Sequence, residues 1–328
     1  MRLPRFEYEK PSSIEETLSI IEKADGKAKI LAGGTDLLVN MKYGVTRPET
    51  VIGVRSIPKL SNVTEAGNGD ITIGACTTLS DLADNSVISE KLPALQASIK
   101  AVASKHIRNI ATIGGNICLD TRCWYYNQTK LWRDAREVCR KMGGSVCHEI
   151  KGSKRCHAIN NSDTAPALIA LNAIFNIAKN GNERQVSAGE FFNDDGAKYS
   201  VLEPGELLTS ATIPAPDKKS RSTFMKISIR KGIDFAIGSV AARITKTGNN
   251  CSSAGIVIGS MTSAPVSLKR ATQVILESGL TDESIEKAAE TARSELGTVT
   301  NLFTSAGYKR DLAGILVKRA LNELKKKK

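Results

Sequence analysis

Apolar residues recur along this chain with two different periods, and the changes of period outline its elements. Ile14, Leu18 and Ile21 repeat every three to four positions, the spacing of one helix face. Ser13 can cap that helix, and Glu16, three residues on, completes the pattern of a capping box. Short apolar runs predict strands at AKIL (28–31) and TVIGV (50–54), and a hairpin over 62–75 that turns at Gly67-Asn68-Gly69. Residues 78–105 read as largely helical, with Leu79, Leu82, Leu95, Ile99 and Val102 on apolar faces. IATIGGNI (110–117) reads as a strand running into a glycine loop, and DTAPALIAL (163–171) as a helix. Strands near 173–178 and 184–187 flank Asn180-Gly181-Asn182. After PAPDKKSRS (214–222), rich in proline and charge, come strands at TFMKISI (223–229) and AGIVIGSM (254–261). Helices follow at about 268–278, 282–296 and 306–325, the last with Leu312, Ile315, Leu316, Leu321 and Leu324 on one face.

This order predicts an α+β protein of two domains, 1–217 and 218–328. With 328 residues and 41% apolar content there is enough for real cores. No apolar run of about 18 residues predicts a membrane span. The N-terminal MRLPRFEYEKPSS lacks the apolar stretch of a secretory signal, so the expected compartment is the cytoplasm. Thiols there stay reduced, and clustered cysteines bind metals.

Four of the seven cysteines, Cys123, Cys139, Cys147 and Cys156, lie within one stretch with intervening gaps of 15, 7 and 8 residues. Thiolates gathered this way hold a soft centre, zinc or iron–sulfur. These gaps suit zinc poorly, because zinc ribbons use closely paired cysteines. A four-thiolate [4Fe–4S] centre is a net anion whose burial needs positive charge or N–H donors nearby. Residues 122–157 carry nine Arg or Lys against three Asp or Glu, half the net charge of +12. Arg122, Arg133, Arg136, Arg140, Lys141 and Arg155 are available, and Trp124, Tyr125, Tyr126 and Trp132 can keep water out. The tail Lys325 to Lys328 adds four more positives. The chain has no helix-turn-helix, no RNA-binding aromatic signature and no finger-type spacing, so nucleic acid is not the expected partner. His148 and His157, each directly after a cysteine, read as neighbours of the centre rather than ligands. Cys76 and Cys251 read as small buried hydrophobes and His106 as structural, while Cys118, near the second glycine pair, could line a site there, burial being the simpler reading.

Two glycine pairs follow apolar stretches, ILAGGTDLL (30–38) and ATIGGNIC (111–118). Adjacent glycines let backbone N–H groups approach a phosphate, and Thr35, Thr112 and Asn116 could add side-chain bonds. Each alone can also be only a tight turn. Neither is a Rossmann or Walker fingerprint.

In order and spacing, AGGTDLL (32–38), IRNIATIGGNI (107–117), the helix start at Asp163 and FMKISIRKGIDFAIGSVA (224–241) resemble the FAD-binding subunits of molybdenum hydroxylases, the xanthine dehydrogenase and carbon monoxide dehydrogenase family. The resemblance spans essentially all of the chain outside the cysteine stretch. It implies a two-part FAD-binding domain of the vanillyl-alcohol-oxidase type, with parts of about 1–55 and 56–217, then a C-terminal α+β flavoprotein domain. It implies that Ile30, Leu31, Ala32, Gly33, Gly34, Thr35, Asp36 and Leu37 bind the FAD pyrophosphate together with Thr112, Ile113, Gly114, Gly115 and Asn116. Asp163, Leu208 and Lys226 would contact other parts of FAD, Arg230 and Asp234 would form a structural ion pair, and no catalytic residue would lie on this chain.

Most of that family lacks residues 122–158. CWYYNQTKLWRDAREVC with the later CH and C is similar to the insert of the 4-hydroxybenzoyl-CoA reductase β subunits, which carries an extra [4Fe–4S] cluster. That similarity implies Cys123, Cys139, Cys147 and Cys156 as cluster ligands. It implies an electron-transfer subunit of a reductive dehydroxylase that forms benzoyl-CoA in anaerobic aromatic degradation. The partners it implies are a large molybdopterin subunit, a small subunit with two [2Fe–2S] clusters, a dimer of heterotrimers and ferredoxin as donor. The competing readings are an oxidative molybdenum hydroxylase subunit with NAD or a quinone as acceptor, a flavoenzyme acting on a UDP-sugar, and a zinc scaffold.

Overall fold

The chain enters as β1 (Glu7–Glu9), α1 (Ile14–Lys23), β2 (Ala28–Leu31), α2 (Leu37–Lys42) and β3 (Thr50–Gly53). The structure is a computed structural model and describes residues 2–230, 232–247 and 250–326; Met1, Lys231, Gly248, Asn249 and the last two tail lysines, Lys327 and Lys328, lie outside it. The three strands form a parallel sheet in the order β1-β3-β2. Both strands expected here form, and β1, wholly exposed, carries no apolar pattern that could have announced it. The Ser13 hydroxyl accepts the Glu16 N–H at 3.1 Å, as a cap should. Glu16, however, reaches the Ser12 N–H at 2.7 Å, one residue upstream of the box partner.

The middle of the chain runs through β4 (Val63–Glu65), β5 (Ile71–Gly74), α3 (Leu79–Asp84), α4 (Ser86–Lys91), α5 (Pro93–Ala101), α6 (Lys105–Arg108), α7 (Ile113–Ile117), α8 (Lys130–Asp134), α9 (Thr164–Ala170), β6 (Ile174–Lys179), β7 (Asn182–Ser187), α10 (Ala188–Phe191) and β8 (Leu207–Ile213). Its five strands form an antiparallel sheet, β4-β5-β8-β6-β7. The expected hairpin forms, and the two strands expected around Asn180-Gly181-Asn182 pair as β6 and β7. The expected strand at 110–112 is not. Thr112 makes only an isolated bridge to Thr78, and residues 113–117 coil into α7. The cause is local: the Thr112 hydroxyl accepts the Gly115 N–H at 3.1 Å, an N-cap that turns the glycine pair into a helical turn.

The C-terminal part comprises β9 (Ser220–Ile227), β10 (Gly238–Thr247), β11 (Asn250–Gly259), β12 (Val266–Ser267), α11 (Lys269–Ser278), α12 (Asp282–Glu295) and α13 (Ala306–Lys326). The sheet order is β12-β11-β10-β9, antiparallel. The small residues of β10 gave no strand signal, yet it is a central strand, paired on both sides. The three expected helices form. Leu312, Leu316, Leu321 and Leu324 are buried, whereas Ile315 is 46% exposed because it falls on the solvent side of that face.

One apolar core joins the five-stranded sheet to α3–α5, α7 and α9, and continues into Phe224, Ala241 and Val257 of the third sheet. A second core lies between that sheet and α11–α13. No described helix is long and apolar enough to cross a membrane.

Candidate functional site

β2 ends at Leu31, and the chain turns through Ala32, Gly33, Gly34, Thr35 and Asp36 into α2. A Cβ on Gly33 would lie 2.3 Å from the Ile110 carbonyl oxygen, so the approach of the two glycine segments is open to glycine alone. Gly34 has φ +73°, the left-handed region. Among the described residues the N–H groups of Gly34, Thr35, Asp36 and Leu37 have no acceptor within the chain, the usual condition of a helix start. Such a row of free donors suits an anion such as a diphosphate. Ile30 lies in β2 and packs against the apolar cluster beneath the parallel sheet.

The second segment is engaged differently. The Gly114 N–H donates to the Ala75 carbonyl at 2.8 Å, and a Cβ there would sit 2.7 Å from the Ala75 Cβ. Thr112 caps α7 and Ile113 is core. The Asn116 side-chain oxygen accepts the Ser162 hydroxyl at 2.8 Å, the Thr164 hydroxyl at 2.7 Å and the Thr164 N–H at 3.2 Å, and so holds the start of α9. Gly115 is the open position, since a Cβ would meet only the Thr112 hydroxyl, at 3.0 Å.

Asp163 and Lys226 come together across the seam between α9 and the C-terminal sheet, 2.7 Å apart, and Lys226 also donates to the Ala101 carbonyl at 3.0 Å. Burial raises the Asp163 carboxyl to about 6 despite the Lys226 charge. Its Oδ1 is buried with no partner, and so are Asn160 Nδ2, Ser239 Oγ and Ser260 Oγ. These atoms share one neighbourhood. Ser239 is registered opposite both Lys226 and Gly259, and the Asn160 N–H donates to Thr262. Each such buried group costs about 1–3 kcal/mol while unpaired. A polar ligand at the seam removes that cost, so these residues fit a flavin nucleotide. No sequence signal marked Asn160, Ser239 or Ser260, because nothing local says they will be buried together. Leu208 lies in β8 within the main core, registered opposite Ile177.

The insert leaves and rejoins the scaffold through a bridge between Arg122 and Ile159. Cys123, Cys139, Cys147 and Cys156 line one cavity, with Tyr125, Tyr126 and Lys141 among its walls. Backbone N–H groups reach two of the sulfurs, Ile150 to Cys147 and Ala158 to Cys156, each at 3.4 Å. Lys141, its side chain 4% exposed, donates to Asp120 at 2.7 Å, Thr121 at 2.7 Å and the Gly196 carbonyl at 2.6 Å, which pins the insert to the scaffold. Among the described residues no three Cys, His, Asp or Glu side chains converge closely enough to hold a metal ion. The four thiols therefore share a cavity but do not form a closed ligand set. Burial pushes the Cys123 thiol up to about 12. His148 bonds the Glu137 carbonyl and lies against Tyr125, and His157 bonds Ser153. Cys76 and Cys251 are buried, and Arg230 pairs with Asp234 at 3.5 Å.

Residues 4–216 match the family model described as the FAD binding domain in molybdopterin dehydrogenase, and residues 223–324 match the CO dehydrogenase flavoprotein C-terminal domain. The chain belongs to the FAD-binding medium subunits of the molybdenum hydroxylases. It is 29% identical over 321 residues to the carbon monoxide dehydrogenase medium chain of Hydrogenophaga pseudoflava, covering 97% of this chain and 96% of that one. It is 28% identical over 331 residues to an aldehyde oxidoreductase FAD-binding subunit of Escherichia coli K12, covering 95% and 97%. A solved structure of the Hydrogenophaga pseudoflava carbon monoxide dehydrogenase, lacking the Mo-pyranopterin moiety of its cofactor, superposes with a TM-score of 0.82 at 27% identity over 98% of both chains. As a member of this family the chain is an FAD-binding oxidoreductase subunit whose catalytic site lies on another subunit.

Proposed function

We propose that this chain is the FAD- and [4Fe–4S]-carrying electron-transfer subunit of a molybdenum-dependent 4-hydroxybenzoyl-CoA reductase, which removes the phenolic hydroxyl to give benzoyl-CoA. The observation that carries the reading is the insert: four cysteines around one cavity, two of them receiving N–H bonds, beside the buried Lys141 ammonium. Bound, FAD would supply one- and two-electron exchange and the cluster one-electron transfer. Residues 1–217 would hold the flavin, with the Gly34–Leu37 donors at its diphosphate and the seam around Asp163 at its remaining polar groups. Cys123, Cys139, Cys147 and Cys156 would hold the cluster, with Lys141 offsetting its charge. The partners in this reading are a large molybdopterin subunit, a small [2Fe–2S] subunit and reduced ferredoxin, in a dimer of heterotrimers in the cytoplasm.

Iron, acid-labile sulfide and zinc, measured with a visible spectrum on anaerobically purified chain, test the reading. Four iron and four sulfide per chain are expected. Stoichiometric zinc without iron would sink it. The second reading is a subunit of a molybdenum hydroxylase that runs oxidatively on another substrate. It is favoured by the relatives, which include dehydrogenase and aldehyde oxidoreductase subunits. Rapid reduction of the flavin by NADH would favour it; reduction by ferredoxin alone would favour the first.

A further inference from the structure

The insert does more in this fold than enclose its cysteines. It lies along α2, the short helix that follows the Gly33–Asp36 turn, and holds it at three points. At the start, Arg122 pairs with the Asp36 carboxylate at 3.4 Å and sits over the Phe235 ring at 4.8 Å. Half-way along, the Asn127 amide donates to Asn40 at 3.3 Å, and Asn40 in turn donates to Asp36 at 3.0 Å. At the end, the buried Arg133 guanidinium donates to the carbonyls of Tyr43 at 3.4 Å and Gly44 at 2.7 Å, which caps the helix C-terminus. A six-residue helix is too short to persist on its own, so its position depends on such contacts. Asp36 also places a carboxylate beside the free N–H row, where it would repel a diphosphate. Arg122 is the nearest countercharge, and the insert supplies it.

We propose that the insert is a clamp on the flavin loop: Arg122 and Arg133 are positioning residues, and the charge of Arg122 on Asp36 is what lets the loop accept the flavin diphosphate. This rests on the reading that the loop at 33–37 binds that diphosphate, but not on any metal in the insert. The test is FAD affinity of the full chain, titrated by flavin fluorescence, with circular dichroism to confirm folding. Arg122→Gln should weaken FAD binding roughly tenfold, between the effects of breaking an exposed and a fully buried charge pair. Arg122→Gln combined with Asp36→Asn should regain most of that loss, because the repelling carboxylate is gone. A merely structural arginine predicts no rescue. Affinity within about twofold of wild type for Arg122→Gln, or a double variant no tighter than the single one, would overturn the proposal. Thr35→Glu separates the two layers. Loss of FAD in that variant supports the loop reading, and full retention would overturn both that reading and the clamp built on it.

Discussion

At the scale of single residues, Asp163 is a buried acid whose proton is held up to about 6, chiefly by burial and against the pull of Lys226. An unfolded chain releases that proton near pH 4, whereas the folded chain keeps it until about pH 6. Stability of the flavin-free chain should therefore fall as pH rises through this window, by about 3 kcal/mol, and level off above it. Asp163→Asn should remove that slope; urea unfolding at several pH values between 4 and 7 would measure it, and equal slopes would contradict the assignment. The glycine pair at 114 and 115 gives a second contrast. Gly114→Ala forces a Cβ onto Ala75 and should destabilise the fold by about 1–3 kcal/mol by overpacking. Gly115→Ala presses only on the Thr112 hydroxyl, at 3.0 Å, and should lower the melting temperature less than Gly114→Ala does. The sequence alone ranks these two glycines equally, because the neighbour that separates them is distant in the chain.

At the scale of elements, period and capping were readable where the element is built from its own residues. The helices at 269–278, 282–295 and 306–326, the hairpin over 62–75 and the strands around Asn180-Gly181-Asn182 have local signatures, and they form. The apolar residues at 110–113 predict a strand entering the glycine loop, but Thr112 capping coils residues 113–117 into a helical turn instead. The insert illustrates the opposite case. Its cysteines announce it, but its attachment through Lys141 to Asp120, Thr121 and Gly196 has no local signature. Lys141→Met leaves Asp120 without its cation and the Thr121 hydroxyl without a donor, while the Gly196 carbonyl keeps the bond from that hydroxyl. Removing one partner of a buried pair costs about 3–5 kcal/mol, and the partial exposure of Asp120 puts this case at the low end. Limited proteolysis followed by mass spectrometry should then show cleavage within 122–158 well before the wild type, while the rest of the chain resists. Equal cleavage rates would show that the lysine is not the anchor.

At the scale of the molecule, charge is the property that composition announces most directly. The insert holds half of the +12, and Lys151 and Lys154 are exposed on it. In the proposed complex an acidic ferredoxin would be steered to this face, with a rate that falls as salt shortens the Debye length from about 10 Å at 0.1 M to about 3 Å at 1 M. Reversing Lys130, Lys151 and Lys154 to Glu should slow reduction by ferredoxin several-fold at low salt and leave reduction by a small neutral dye unchanged. A ferredoxin rate untouched in a variant with its insert intact would place electron entry elsewhere.

By itself the sequence determined what depends on neighbours in the chain: where helices start, where hairpins turn, which cysteines cluster, and, through motif order, membership of an FAD-binding family. Tertiary structure decided what depends on meeting across it. It put Gly33 against Ile110 and left Asp163, Asn160, Ser239 and Ser260 with unpaired polar atoms at one seam. It also turned Asn116 inward to hold α9 and laid the insert along α2. The physical reason is the same throughout. Periodicity and capping act over three or four residues, whereas burial and charge pairing act between segments brought together only when the cores form.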